Sequence, residues 1–88
     1  MDTKITPSLN FRYVSVIASF DVHGHVKPLY VRIDEESLKV HSFRLKPFFV
    51  DTMDFYCEVI DGNQIKPLLL TYQQRECVWH IPSKFQFS

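Results

Sequence analysis

The 88-residue sequence lacks most of the features that mark an enzyme or a highly charged binding protein. It has only two glycines, no glycine-rich phosphate loop, no G-x-S-x-G motif and no carboxylate pair placed to act as acid and base. Ten basic residues balance ten acidic ones. Nonspecific polyanion binders depend on a clustered cationic face, so this balance argues against that class. We expect a protein without catalytic activity.

Long apolar runs and helical spacing are also missing. No run approaches the ~20 apolar residues of a membrane span, and no segment repeats apolar residues at the spacing of a helix. The first ten residues lack the apolar core of a secretory signal, so we expect a cytoplasmic protein with no membrane association. Cys57 and Cys77 have no C-x-x-C spacing and share the phase of apolar strand positions. We expect free, buried thiols, with a disulfide between them as the alternative.

What the sequence does contain is apolar and aromatic side chains, at 45% and 15% of the residues. That composition is typical of a globular chain, and a chain of this length cannot divide its apolar residues between two cores. We therefore predict a single domain over residues 1–88, in which residues 1–10 form a loose lead-in because they show no periodicity.

A four-residue motif occurs twice in the sequence. Val-Lys-Pro-Leu at 26–29 returns as Ile-Lys-Pro-Leu at 65–68, 39 residues later. The same offset aligns apolar positions along most of the chain, for example Val16 with Phe55. This match predicts two copies of one unit, at about 11–46 and 53–81.

Alternating apolar residues between turn signals predict six strands. Their expected ranges are 11–21, 25–33, 37–46, 53–61, 64–72 and 76–81. The inward residues are expected to be Val14, Val16, Ala18 and Phe20 in the first strand and Met53, Phe55, Cys57 and Val59 in the fourth. Pro28 predicts an edge or a bulge in the second strand, and a change of apolar phase between Val40 and Phe43 predicts a bulge in the third. Each three-stranded meander must cover one apolar face. We therefore predict an all-β fold of two pseudo-repeated meanders that form a small barrel or a compact sandwich.

Tyrosines outside the core phase, nearby basic residues and an apolar connector are the candidate binding residues. They are Arg12, Tyr13, Lys27, Tyr30, Arg32, Phe48, Phe49, Tyr56 and Lys66. The primary hypothesis is a protein-interaction or self-associating module that uses an edge strand. The rival is a small barrel that binds single-stranded nucleic acid on an aromatic and basic face. The four histidines have no carboxylate or cysteine at zinc-site spacing, so no metal, cofactor or small-molecule substrate is expected.

One resemblance accompanies these expectations. The phrase G-x-[VI]-K-P-L, present from Gly24 to Leu29, is followed by a strand and by a closing tryptophan, Trp79. This arrangement resembles short uncharacterised all-β proteins of Gram-positive anaerobes over most of residues 14–81. The resemblance implies a bacterial, cytoplasmic protein and carries no activity with it.

Overall fold

The computed structural model of the protein describes residues 10–46 and 51–85. Six strands make up the fold: β1 (Phe11–Phe20), β2 (Val26–Ile33), β3 (Glu36–Lys46), β4 (Thr52–Asp61), β5 (Gln64–Gln73) and β6 (Val78–Pro82). They form a closed antiparallel barrel in the order β1-β2-β3-β4-β5-β6. The all-β prediction is confirmed, and of the two predicted arrangements the protein adopts the barrel.

Short turns join the strands. Asp34 and Glu35 link β2 to β3 with positive φ angles of 50° and 70°, as in the type I′ turn whose twist matches a hairpin. Gly62, at φ 63°, opens the turn between β4 and β5. In the first hairpin the Asp21 carboxylate accepts the backbone N–H groups of His23 (2.9 Å) and His25 (2.8 Å). Local backbone conformation or a local hydrogen bond therefore defines each of these turns.

The barrel interior is filled by alternate residues of the strands. In β4 the predicted inward set, Met53, Phe55, Cys57 and Val59, is entirely buried, which confirms its phase. The other buried apolar residues are Val31, Ile33, Leu38, Leu68, Leu70, Trp79 and Ile81. Most of this core comes from the second half of the chain, and β1 contributes side chains that are only partly buried.

The two hairpins share one register over part of their length. Val16 pairs with Val31, and the residues 39 positions later, Phe55 and Leu70, pair in the same way. Beyond Ile17 the registers differ by one residue, because Ala18 pairs with Pro28 whereas Cys57 pairs with Leu68. The third strands also differ, because two residues connect β2 to β3 whereas the four residues 74–77 connect β5 to β6.

Two expectations of burial are wrong. Cys77 was expected inside a strand, but it lies in the longer connection with a positive φ of 60° and an exposed thiol. Phe20, expected on the inward face of β1, is 58% exposed because it lies at the end of its strand, where its ring meets only the edge of Tyr72. Both cysteines are free thiols.

Both predicted bulges are present. The β1–β2 register shifts between Ile17 and Ala18, opposite Leu29, and the β3–β4 register shifts between Val40 and Ser42. The first bulge changes the orientation of the repeated phrase. In β2 the lysine Lys27 is exposed, whereas in β5, which pairs with β4 without a bulge, its counterpart Lys66 is partly buried.

Candidate binding surfaces

The β2 and β3 strands separate at the ends remote from the turn that joins them. They pair only between Ile33–Glu36, next to the turn, and Tyr30–Lys39. Beyond Lys39, β3 pairs with β4 alone. Within the described residues, no strand pairs with the free edge of β3 beyond Lys39. The separation leaves a cavity of about 390 Å³. It is lined by Gly24, His25, Val26, Lys27, Phe43, Leu45, Met53 and Gln74. We call this the β2–β3 opening.

The floor of the β2–β3 opening is apolar. Met53 is buried at its base, Phe43 packs edge-on against Phe55 with ring centroids 5.6 Å apart, and Leu45 remains 42% exposed. Leu45 follows the bulge in β3, so its side chain points toward the barrel but lies too near the end of the strand to be covered. The opening thus presents apolar side chains next to an unpaired strand edge.

Cations lie next to the β2–β3 opening. Lys27 lines it on the β2 side. Arg44 and Lys46 alternate with the lining residues Phe43 and Leu45 along β3, and each lies 5.7 Å from the centroid of the Tyr56 ring. Among the described residues, no carboxylate lines the cavity. Asp54 and Glu58 lie on β4, opposite Lys46 and Ser42, and accept hydrogen bonds from Thr71 (2.8 Å) and Ser42 (3.0 Å).

A second surface lies on the outer faces of β1, β2 and β3. Arg32 pairs with Ser15 on one side and with Ser37 on the other, which places two hydroxyl groups beside one guanidinium. Tyr30 occupies the next outward position of β2, between Ile17 on β1 and Lys39 on β3. A depression of about 240 Å³ is lined by Ser15, Val16, Ile17, Tyr30, Arg32 and Ser37. We call this the Arg32 surface.

Two of the predicted binding residues already have partners. The Nη1 atom of Arg12 is 3.3 Å from the Asp34 carboxylate, and the Nζ atom of Lys66 is 3.3 Å from that of Asp61. Lys66 also lies 5.7 Å from the centroid of the Phe85 ring. Each of these cations is therefore matched by a carboxylate: the Lys66–Asp61 pair is largely buried, and the Arg12–Asp34 pair lies at the surface.

The other predicted residues divide between surfaces. Tyr30 and Arg32 come together on the Arg32 surface, Lys27 lines the β2–β3 opening, and Tyr56 lies on the outer face of β4 opposite Arg44. Tyr13 is 60% exposed. Phe48 and Phe49 lie outside the described residues. The predicted set is thus not one continuous face.

Tyr13 packs with Phe11 and His80 on the outside of the barrel. The ring of His80 lies 4.4 Å from that of Phe11 and 6.2 Å from that of Tyr13. Burial lowers the pKa of His80 below its usual value of 6.5, while the charge of Asp54 acts in the opposite direction. His80 is therefore held in its neutral form in the fold.

The remaining titratable groups have structural roles. The backbone N–H of His25, together with that of His23, lowers the pKa of Asp21 below 3.8. Burial raises the pKa of the Cys57 thiol to about 12, so it stays protonated at neutral pH. Over residues 10–46 and 51–85, no three histidine, cysteine or acidic side chains come close enough to hold a metal ion.

Several residues of the two surfaces were missed by sequence reasoning. Arg44 and Lys46 follow the bulge in β3, and without the register nothing connects them to Tyr56. Ser15 and Ser37 carry no signal of their own, although a two-residue turn at Asp34 would have placed Ser37 opposite Arg32. Register, which depends on turns and bulges, was the missing information.

Comparisons with known proteins add no family to this description. No family model, no curated protein and no solved structure matches the chain. The part of the chain that the structure describes contains no helix with the length and apolar character needed to cross a membrane.

Proposed function

We propose that this protein is a non-catalytic interaction module that binds an extended, acidic segment of a partner protein at the β2–β3 opening. The observation that carries the proposal is the combination of an unpaired edge of β3 with the apolar cavity beside it. In strand addition, main-chain hydrogen bonds along such an edge supply affinity and side-chain pockets supply specificity.

The geometry suits one strand of a partner. Consecutive side chains of an extended peptide point to opposite faces, about 3.3 Å apart along the strand. A peptide laid along β3 would direct alternate side chains toward Phe43 and Leu45 and the others toward solvent. Apolar residues at every second position are therefore expected in the partner.

The charge around the β2–β3 opening indicates which residues should lie between the apolar residues of the partner peptide. Lys27 lines it, Arg44 and Lys46 lie on the adjacent outer face of β3, and in the described part of the chain none of the three forms an ion pair. Acidic residues between the apolar ones would meet these cations, and rim charges of this kind select partners and speed their association. The free thiols suit a reducing compartment, and we place this interaction in the cytoplasm.

The test uses two blocked pentapeptides. Both carry Phe and Leu at the second and fourth positions, one with Glu and the other with Lys at the remaining three. In ¹⁵N-resolved NMR titrations the acidic peptide should give saturable shifts at Val26, Phe43 and Leu45, and the basic peptide should bind much more weakly.

Variants locate the binding. Lys46→Glu should lower the affinity for the acidic peptide by about three- to tenfold, as expected for reversing one exposed charge. Leu45→Asp should abolish binding. Lys84→Glu, an exposed lysine in the turn after β6, is the control and should bind normally. Equal binding of both peptides, shifts elsewhere on the barrel, or concentration-dependent dimerisation that blocks Leu45 would overturn the proposal. The last result would assign the opening to a second copy of the chain.

A further inference from the structure

We propose that the Arg32 surface is a second, independent binding site, for a nucleotide unit of a single-stranded nucleic acid. The phosphate would bind between Ser15, Arg32 and Ser37, and the base would stack on Tyr30. This site is separate from the β2–β3 opening and does not depend on what binds there.

The phosphate position follows from the strand register. Directly paired residues of antiparallel strands have Cβ atoms about 5 Å apart, so both hydroxyl groups are within reach of an anion held by Arg32. A guanidinium can donate two parallel hydrogen bonds to a phosphate, and each serine can donate one more. Within residues 10–46 and 51–85, no carboxylate lies within ion-pair distance of Arg32, so this group is available to an anion.

The position of the base follows from Tyr30 and its neighbours, which lie next to Arg32 and the two serines on the outer face. Tyr30 is two residues from Arg32 on the same face, about 6.6 Å along the strand, which leaves room for a sugar between phosphate and ring. Its ring is 41% exposed, and Ile17 beside it is 63% exposed. Together they offer an exposed apolar surface with an aromatic ring, and stacking on such a ring tolerates any base.

Two further residues favour a strand over an isolated nucleotide. Lys39, paired with Tyr30, places a second cation where the next phosphate of a chain would pass. Tyr13, two residues before Ser15 on the outer face, is 60% exposed. It lies on the opposite side of Ser15, Arg32 and Ser37 from Tyr30. A phosphate site with an aromatic ring on either side matches the alternation of bases and phosphates in a single strand.

The other aromatic and basic cluster suits a nucleic acid less well. Tyr56 is flanked on the outward face of its own strand by Asp54 and Glu58, which would repel phosphate. Among the described residues, the outward neighbours of Tyr30 include Arg32 and Lys39 but no carboxylate. Asp34, in the turn two residues beyond Arg32, is paired with Arg12. The distribution of acidic residues thus separates two clusters that look alike in the sequence.

The test titrates the protein with a thymidine tetranucleotide and, separately, with a free mononucleotide, inorganic phosphate and a phosphotyrosine. In ¹⁵N-resolved NMR spectra the tetranucleotide should shift Ser15, Tyr30, Arg32 and Ser37 and bind at least tenfold more tightly than the mononucleotide. If Arg32 and Lys39 neutralise two phosphates, log K should fall with log salt at a slope of about −1.4. Tighter binding of the mononucleotide or the phosphotyrosine would overturn the assignment to a strand.

Variants distinguish this site from general attraction. Arg32→Gln and Tyr30→Leu should each weaken tetranucleotide binding about tenfold, and Arg32→Gln should also reduce the salt dependence by about half. Arg75→Gln, at an exposed arginine in the connection between β5 and β6, is the matched control and should change affinity less than twofold. Equal losses in Arg32→Gln and Arg75→Gln, or no saturable shift in the unmodified protein, would refute the site. Neither outcome affects the peptide test, because Arg32 takes no part in the β2–β3 opening.

Discussion

The replacement of Phe55 by alanine should destabilise the barrel more than any change on its surface. Phe55 is fully buried at the centre of β4, with its ring 5.6 Å from that of Phe43 and 5.7 Å from that of Trp79. Truncation of a buried phenylalanine removes its transfer free energy and leaves a cavity, at a typical cost of 3–5 kcal/mol. Small domains have a total unfolding free energy of about 5–15 kcal/mol, so the loss is a large part of the whole.

Urea unfolding measures this loss directly. The single tryptophan, Trp79, contacts the Phe55 ring and reports on the core by its fluorescence. We expect Phe55→Ala to lower the free energy of unfolding by about 3–5 kcal/mol. The melting temperature should fall by roughly 12 °C or more, since 1 kcal/mol corresponds to about 4–8 °C in a domain of this size.

The neighbouring residue provides the control. Tyr56 points to the outside of the same strand and is 40% exposed, so Tyr56→Ala loses mainly its contacts with Arg44 and Lys46, at about 0.5–1 kcal/mol each. A shift of register by one residue would exchange the two environments. Equal losses in the two variants, or a larger loss in Tyr56→Ala, would show that the phase assigned to β4 is wrong.

Three further predictions concern titratable groups. At pH 8 a thiol reagent should modify Cys77 rapidly and Cys57 only on unfolding, because burial raises the pKa of Cys57 to about 12; mass spectrometry of the labelled peptides checks this. The pKa of His80 is lowered in the fold, so the unfolded chain protonates first and stability should decrease as the pH falls below about 6.5; His80→Gln should flatten this part of the urea-unfolding profile, and an unchanged slope would refute the assignment. The lowered pKa of Asp21 means that its contribution to stability is present above pH 3.8 and is lost as the pH falls through the folded value, so its carboxyl ¹³C titration should have a midpoint below 3.8; in Asp21→Ala the amide of His25 should exchange with solvent faster.

The fold was largely predictable because its signals are local. Alternation in β4 identifies four consecutive inward residues, and all four are buried. The phase change between Val40 and Phe43 located a bulge that the structure contains. Such features depend on residues that are neighbours in the sequence, so they can be predicted without knowing the long-range contacts of the chain.

The candidate surfaces were harder to predict because they depend on pairing across strands. The exposure of Cys77 results from a connection four residues long, which the gapless repeat did not reveal. The cations at Arg12 and Lys66 look like those at Lys27 and Arg32 in the sequence, yet Asp34 and Asp61 form ion pairs with the first two. Only the register shows which charges have partners.

The extra residue at Leu29 gives the two copies of the repeated phrase separate evolutionary constraints. Lys27 can change with whatever the protein meets, since it faces outward, whereas Lys66 must stay matched to Asp61 beneath it. The equivalent lysines of the two copies should therefore be substituted at different rates during evolution. A bulge of one residue, with no insertion in the sequence, is enough to place two copies of one motif in different surroundings.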